Sequence, residues 1–176
     1  STSPWWYRSS INGAQTPTTW GNSTDVIAPG DFDGDNKTDV AVFRPSNGTW
    51  YIFNSTTLTA TITQFGASGD RPIPNDFDGD GRADIAVFRP SDGVWYEQRS
   101  LGSQFFAQQF GANGDIPQVF DYDGDGIADL CVYRPGGGEW HFFQSSNSTY
   151  VAFPFGSSGD KPVPADFDGD GRTDVA

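Results

Sequence analysis

Aspartate recurs at alternate positions in four nine-residue stretches: Asp31-Phe-Asp-Gly-Asp-Asn-Lys-Thr-Asp39, Asp76-Phe-Asp-Gly-Asp-Gly-Arg-Ala-Asp84, Asp121-Tyr-Asp-Gly-Asp-Gly-Ile-Ala-Asp129 and Asp166-Phe-Asp-Gly-Asp-Gly-Arg-Thr-Asp174. Alternation in a tight turn brings the carboxylates of Asp76, Asp78 and Asp80 to one side. Gly81 then permits a sharp bend through positive φ, and Asp84 closes the cage. The backbone carbonyl of Arg82 is the natural further ligand, by analogy with the seventh position of a helix-loop-helix calcium loop. The same reading assigns Asp31, Asp33, Asp35 and Asp39 with the Lys37 carbonyl, and Asp121, Asp123, Asp125 and Asp129 with that of Ile127. It also assigns Asp166, Asp168, Asp170 and Asp174 with the carbonyl of Arg172. Hard, flexible oxygen ligands suit Ca²⁺ better than a transition metal or the small octahedral Mg²⁺. Asn36 stands where the other loops have Gly, and Asn is the next residue best suited to the left-handed region.

Charge supports a metal over a merely polar turn. Of 23 acidic residues 21 are Asp, and sixteen of these (four per loop) lie in the loops. Carboxylates held a few ångströms apart repel strongly without a cation between them. Four Ca²⁺ would move the formal charge from −13 to −5, since 4 × 2 = 8. The ten Lys and Arg form no cluster, which argues against a nucleic-acid partner. There is no apolar run of membrane length and no signal-peptide pattern, so membrane insertion is not expected. Met is absent, position 1 included, and the N-terminus is therefore read as processed, trimmed or engineered. Calcium cages of modest affinity suit a secreted, extracellular or cell-surface setting, where the ion is plentiful.

The first residues of the loops are 45 apart with no insertion, which marks one supersecondary unit copied along the chain. Residues 1–176 are read as one repeat domain: a half unit 1–30, full repeats 31–75, 76–120 and 121–165, and a half unit 166–176. Within the second repeat, Ile73–Phe77, Asp84–Arg89, Val94–Arg99 and Gln104–Phe110 read as strands, with a turn at Pro90–Gly93. Four antiparallel strands per repeat of this length is the blade of an all-β propeller. Trp5, Trp50, Trp95 and Trp140 form one aromatic series, and Trp20, Phe65, Phe110 and Phe155 another. Both are read as packing, filling the wedges between twisted blades. Asp25, Asp70, Asp115 and Asp160 match a basic series Arg44, Arg89 and Arg134, which predicts bidentate pairs of structural use. Cys131 replaces Ala41 and Ala86 of other repeats and reads as a core residue. His141 replaces Trp6, Tyr51 and Tyr96. No catalytic constellation can be nominated, and the chain is read as non-enzymatic.

The run Asp-Phe-Asp-Gly-Asp-Gly-Arg-x-Asp-[Val/Ile]-Ala-Val-Phe-Arg-Pro-Ser-x-Gly-x-Trp-Tyr resembles the FG-GAP/VCBS repeat family across essentially the whole chain. The resemblance implies a calcium-bearing propeller like that of integrin α subunits and some fungal lectins, with the calcium-ligand role carried onto the four acidic loops. It implies a glycan or a cell-surface protein as ligand, hence a lectin- or adhesin-like module. A purely structural calcium-binding scaffold, or an accessory domain of a larger protein, is the alternative. Ligand contacts are expected at the turns between second and third strands, around Asn47, Asp92 and Gly137. The chain starts in the phase of a third strand and stops in that of a second. The half units are thus expected to complete one composite blade, in a monomer or in a homodimeric eight-bladed ring.

Overall fold

The computed structural model describes residues 2–176, which form two compact units, one running to Ser68 and the other Gly69–Ala176. In the first unit β1 (Thr2–Arg8) and β2 (Gln15–Asn22) make a two-stranded sheet. A four-stranded sheet follows, from β3 (Val26–Ile27), β4 (Val40–Arg44), β5 (Thr49–Phe53) and β6 (Ala60–Gln64). The second unit holds two further four-stranded sheets. One is β7 (Arg71–Pro72), β8 (Ile85–Arg89), β9 (Val94–Gln98) and β10 (Phe105–Gln109). The other is β11 (Ile116–Phe120), β12 (Asp129–Arg134), β13 (Glu139–Phe143) and β14 (Tyr150–Pro154). Each is an antiparallel meander, so the all-β, four-stranded blade expected from the repeat is present three times among the described residues. Beyond these sheets, the first two strands of the last repeat are represented by the bridge Ala165–Asp174 and by Val163 N donating to the Ala176 carbonyl at 2.9 Å. Among the described residues, no helix is long and apolar enough to cross a membrane.

Strand boundaries match the sequence reading to within about a residue except for the first strand of each blade. β7 covers only Arg71–Pro72, before the expected Ile73–Phe77. Pro74, like Pro29 at the same phase of the first blade, carries no N–H and cannot extend the ladder. In the third blade Val119 takes the place of Pro74, and there the first strand runs the full Ile116–Phe120.

Each sheet is held from inside by its tryptophan. Trp50, Trp95 and Trp140 are fully buried, and their indole N–H groups donate to the carbonyls of Phe65, Phe110 and Phe155 at 3.0, 2.7 and 3.0 Å. Trp5 donates likewise to Trp20 at 3.1 Å, which fixes β1–β2 as the same third-and-fourth-strand hairpin. Packing is therefore the role of the first aromatic series. Cys131 is wholly buried among Phe120, Tyr133, Trp140 and Phe142, and burial pushes its thiol well up. His141 is an aromatic-site variant as expected: it stacks on Tyr150, with Nδ1 2.7 Å from the phenol oxygen.

The hairpin tips sit at the opposite end of the strands from the acidic loops. At the tip of β8–β9, Gly93 has φ 67° and its carbonyl accepts from Phe110 N at 3.0 Å. A Cβ there would drive into the carbonyl of Gly111. Next to each tip lies the expected ion pair. Arg89 donates from Nε and Nη2 to Asp70 at 2.8 and 2.9 Å. Arg44–Asp25 and Arg134–Asp115 repeat it at the same distances to within 0.1 Å. The Arg44 hydrogen bonds hold the Asp25 carboxyl below its ordinary range despite burial. Each pair joins the residue before the first strand to the end of the second, so it ties strands within one sheet.

The Asp70 side chain is only 1% exposed, against 28% for Arg89. Arg89→Ala takes the guanidinium from a buried carboxylate, at a cost of roughly 2–4 kcal/mol, less than for a fully buried pair because the guanidinium is partly hydrated. The melting temperature is expected to fall by roughly 5–10 °C, and Arg89→Lys, which cannot bind bidentately, to recover only part of it. Calorimetric melts of the two variants check both points.

Candidate metal centre

Each acidic loop leaves its sheet between the first and second strands and is pinched at its neck by a bridge, Gly30–Asp39, Asn75–Asp84 or Ala165–Asp174, or by the β11–β12 pair Phe120–Asp129. The aromatic second residue anchors the loop. Phe32 meets Trp50 edge-on at 6.3 Å, Phe77 lies in the core, and Tyr122 stacks on Phe142 at 4.2 Å. Phe167 of the fourth loop is exposed.

Inside the loop the first carboxylate organises the turn. Asp76 Oδ1 accepts from Gly79 N at 2.6 Å and Oδ2 from Gly81 N at 2.8 Å. Asp31, Asp121 and Asp166 do the same. The bend lies where the sequence places it, with Gly81 at φ 83° and Asn36 at 64°. The ninth residue is the buried wall. Asp84 Oδ2 accepts from Phe77 N at 2.8 Å and Oδ1 from Ser100 N at 2.6 Å. Burial pushes the carboxyls of Asp39, Asp84 and Asp129 up, with these N–H donors opposing it.

The structure brings the first, third and ninth residues together. One oxygen from each of Asp31, Asp33 and Asp39 lies within 4.8 Å of the other two, as do those of Asp76, Asp78 and Asp84, of Asp121, Asp123 and Asp129, and of Asp166, Asp168 and Asp174. The fifth residues stand outside these trios. Asp35, Asp80, Asp125 and Asp170 each accept the backbone N–H of the seventh residue, at Lys37, Arg82, Ile127 and Arg172. Lys37 Nζ also reaches Asp35 at 2.7 Å. Asn47, Asp92 and Gly137 are exposed at the three hairpin tips.

Whether a divalent cation suits the trio is answered by its leftover valence. Asp33 Oδ1 and Asp123 Oδ1 are buried and accept no hydrogen bond. Such an atom is costly unless a cation completes it. The donors are all oxygen, several of them carboxylate, as calcium prefers. Asp31, Asp33 and Asp39 and their counterparts would hold the ion, with the fifth carboxylate poised beside them.

One series escaped the sequence reading. Ser55, Ser100 and Ser145, also 45 apart, begin the turn between third and fourth strands and clamp it to the acidic loop. Their N–H groups donate to the ninth Asp at 2.7, 2.6 and 2.7 Å. Their hydroxyls donate to the fifth Asp at 2.8, 2.8 and 3.0 Å. The following residue reaches the third Asp, from Thr56 N, Leu101 N or Ser146 Oγ. The 45-residue spacing is the trace the series leaves in the sequence, a weak one in a chain rich in Ser and Thr. Among the described residues no such turn is hydrogen-bonded to the fourth loop.

Residues 76–132 and 121–176 match the family model of an FG-GAP-like repeat, and residues 24–57 match that of an FG-GAP repeat. No curated protein matches the chain.

Asp78→Ala is expected to remove one calcium site and leave the other three titrating normally. Ser100→Ala keeps the backbone donor to Asp84 but loses the hydroxyl on Asp80, worth about 0.5–1.5 kcal/mol, so the same site weakens by up to roughly tenfold. Calorimetric calcium titration of both variants provides the measurement.

Proposed function

The chain belongs to the FG-GAP repeat family, and from that premise we propose that it is a calcium-stabilised, non-catalytic binding module that recognises glycans outside the cell. FG-GAP repeats are known from integrin-like binding modules, and the family is typically extracellular and non-catalytic. The observation that carries the metal half of the proposal is the trio of convergent carboxylates with buried, unpartnered oxygens at Asp33 and Asp123. On this reading each of the four loops takes one Ca²⁺, which neutralises the trio and fixes the fifth carboxylate and the serine-clamped turn around it. The rest of the chain then serves as a rigid frame presenting loops at both strand ends. The tips at Asn47, Asp92 and Gly137 offer three exposed, differing side-chain settings at equivalent positions, which favours avidity over single-site affinity. Binding by rigid loops needs no nucleophile, and the buried Cys131 and the stacked His141 offer none.

A ligand that binds only the folded state stabilises by about 2.7 kcal/mol per site at a hundredfold excess over Kd. Four such sites give a chelator-induced drop in melting temperature of more than about 10 °C. An unchanged melt after verified metal removal would refute the calcium proposal. A glycan array probed with calcium-loaded and chelated protein tests the other half: calcium-dependent binding to a defined sugar class is expected. A blank array from folded, loaded protein would overturn glycan recognition and leave a protein-binding or purely structural module.

A further inference from the structure

The repeats depart from one another together at one place. The third strand carries Tyr7, Ile52 and Phe142 at one repeat position, and Glu97 in the second full repeat; the position is buried in the three full blades and exposed at Tyr7. Two residues on, Ser9, Asn54 and Gln144 correspond to Arg99. On the fourth strand Thr16, Thr61 and Val151 correspond to Phe106. Ile52 and Phe142 are buried core residues, and Glu97 is buried too, its side chain only 5% exposed. Glu97 and Phe106 face each other across β9–β10. Arg99 Nε donates to Glu97 Oε2 at 3.0 Å, and its guanidinium lies 3.8 Å over the Phe106 ring. Among the described residues no further hydrogen bond engages Glu97 Oε1 or the two Nη groups of Arg99.

These three residues line a cavity of about 310 Å³ between β9–β10 and the loop end of the next sheet, with Gln108, Leu130 and Phe143 among its other walls. The same groove exists between β1–β2 and the first full blade, as a cavity of about 790 Å³. There Tyr7 and Thr18 stand in place of Glu97 and Gln108, ninety residues earlier. The groove is thus a property of the repeat, and the charged pair is particular to one copy of it. A charged pair in that setting does little for packing: burial pushes the Glu97 carboxyl up, with Arg99 opposing.

From this we infer that the Glu97–Arg99–Phe106 cavity is a saccharide-binding site, an inference that rests on the glycan reading above and gives it a location. The pair is internally neutral, so neither a free anion nor a free cation is favoured. The nearby Asp78 and the acidic loop further oppose phosphate or carboxylate ligands. What remains unengaged is an acceptor, Oε1, beside donors, Nη1 and Nη2, set among apolar walls. Vicinal hydroxyls on a pyranose ring complement such an edge, each donating to the carboxylate and accepting from the guanidinium, while the C–H face of the ring meets the apolar side. The volume is at the lower end of the range for small-molecule sites, roughly 300–1,000 Å³, which suits one or two sugar rings. Asp78 lines the same cavity and belongs to the second acidic loop, so occupancy of that loop shapes the site's wall.

The test is saturation-transfer NMR on the calcium-loaded chain with methyl α- and β-pyranosides of glucose, galactose, mannose, fucose and N-acetylglucosamine. Transfer to at least one is expected. Glu97→Ile and Arg99→Asn place the residues of the preceding repeat at these positions and are expected to fold with full calcium stoichiometry. Each is expected to weaken binding at least tenfold, while Asn113→Ala, at an exposed position outside the cavity lining, has no effect. Binding that survives both substitutions in folded protein overturns the site but leaves the glycan reading standing. A panel without transfer, together with a blank array, overturns both. Should one variant fail to fold, the other decides.

Discussion

Three carboxylates forced within 4.8 Å of one another are the constraint to which each repeat answers. At an effective dielectric constant of ~20, each pair at that distance repels by about 3 kcal/mol. A trio therefore costs on the order of 10 kcal/mol if fully ionised and uncompensated, comparable to the ~5–15 kcal/mol by which a whole domain is stable. Four such trios weigh heavily against a folded chain at neutral pH unless a proton or other positive charge enters them. Backbone N–H groups supply part of it: the first Asp gathers donors from its own turn and the ninth from the loop neck and the serine clamp. They do not reach Asp33 Oδ1 or Asp123 Oδ1. That residue of unmet valence is what the proposed calcium answers, and it explains why the loops are so uniform while the hairpin tips are not.

The loops also connect successive blades. In the second unit the Asp76 carbonyl accepts from Ala128 N at 2.8 Å, and the Asp121 carbonyl from Thr173 N at 2.9 Å. Each link joins the first residue of one acidic loop to the eighth of the next. The Ile127 side chain packs beside Gly79, and that of Arg172 beside Gly124. A loop set in place by the proposed cation would therefore offer a fixed edge to its successor. Two layers hold the second and third loops: the clamp from the third-to-fourth-strand turn of the loop's own sheet, and the link to a neighbouring loop. The fourth loop has the second of these but not the first among the described residues, and correspondingly its carboxylates at Asp166 and Asp168 are exposed where their counterparts are half-buried.

Much of this was legible beforehand because the repeat is rigid in length. Identical spacing fixed which residues share a role, and the Asp–Arg pairs, the buried tryptophans and the positive φ at Asn36 all followed from residue type at a known phase. The short first strands were misjudged because a β-prone run was weighed above its prolines, although the missing N–H of Pro74 decides the matter, as Val119 shows by its contrast. The serine clamp was missed for a different reason. Ser, Thr and Asn are abundant throughout the chain, so a periodic serine carries little signal until its N–H is seen donating to a carboxylate sixteen residues back. Nor could spacing show that the fifth Asp lies outside the trio, since that depends on whether it turns toward the seventh N–H or the cage.

A repeat protein can gain a specific site only where it gives up some of its symmetry. At the inward position of the third strand, Ile52 and Phe142 pack a core, and a carboxylate there loses that packing and must be desolvated as well. The cost is limited only because Arg99 and Phe106 change with it, the guanidinium neutralising Glu97 and the ring covering the guanidinium. Three coordinated departures in one groove, beside an acidic loop that keeps the common pattern, separate the parts of the chain that build the frame from the part that distinguishes one groove from the others. The frame's uniformity is then no argument against a single binding site. It is the background against which the Glu97 groove stands out, because Ile52 and Phe142 in the other two full blades show what the position requires when packing is the only demand on it.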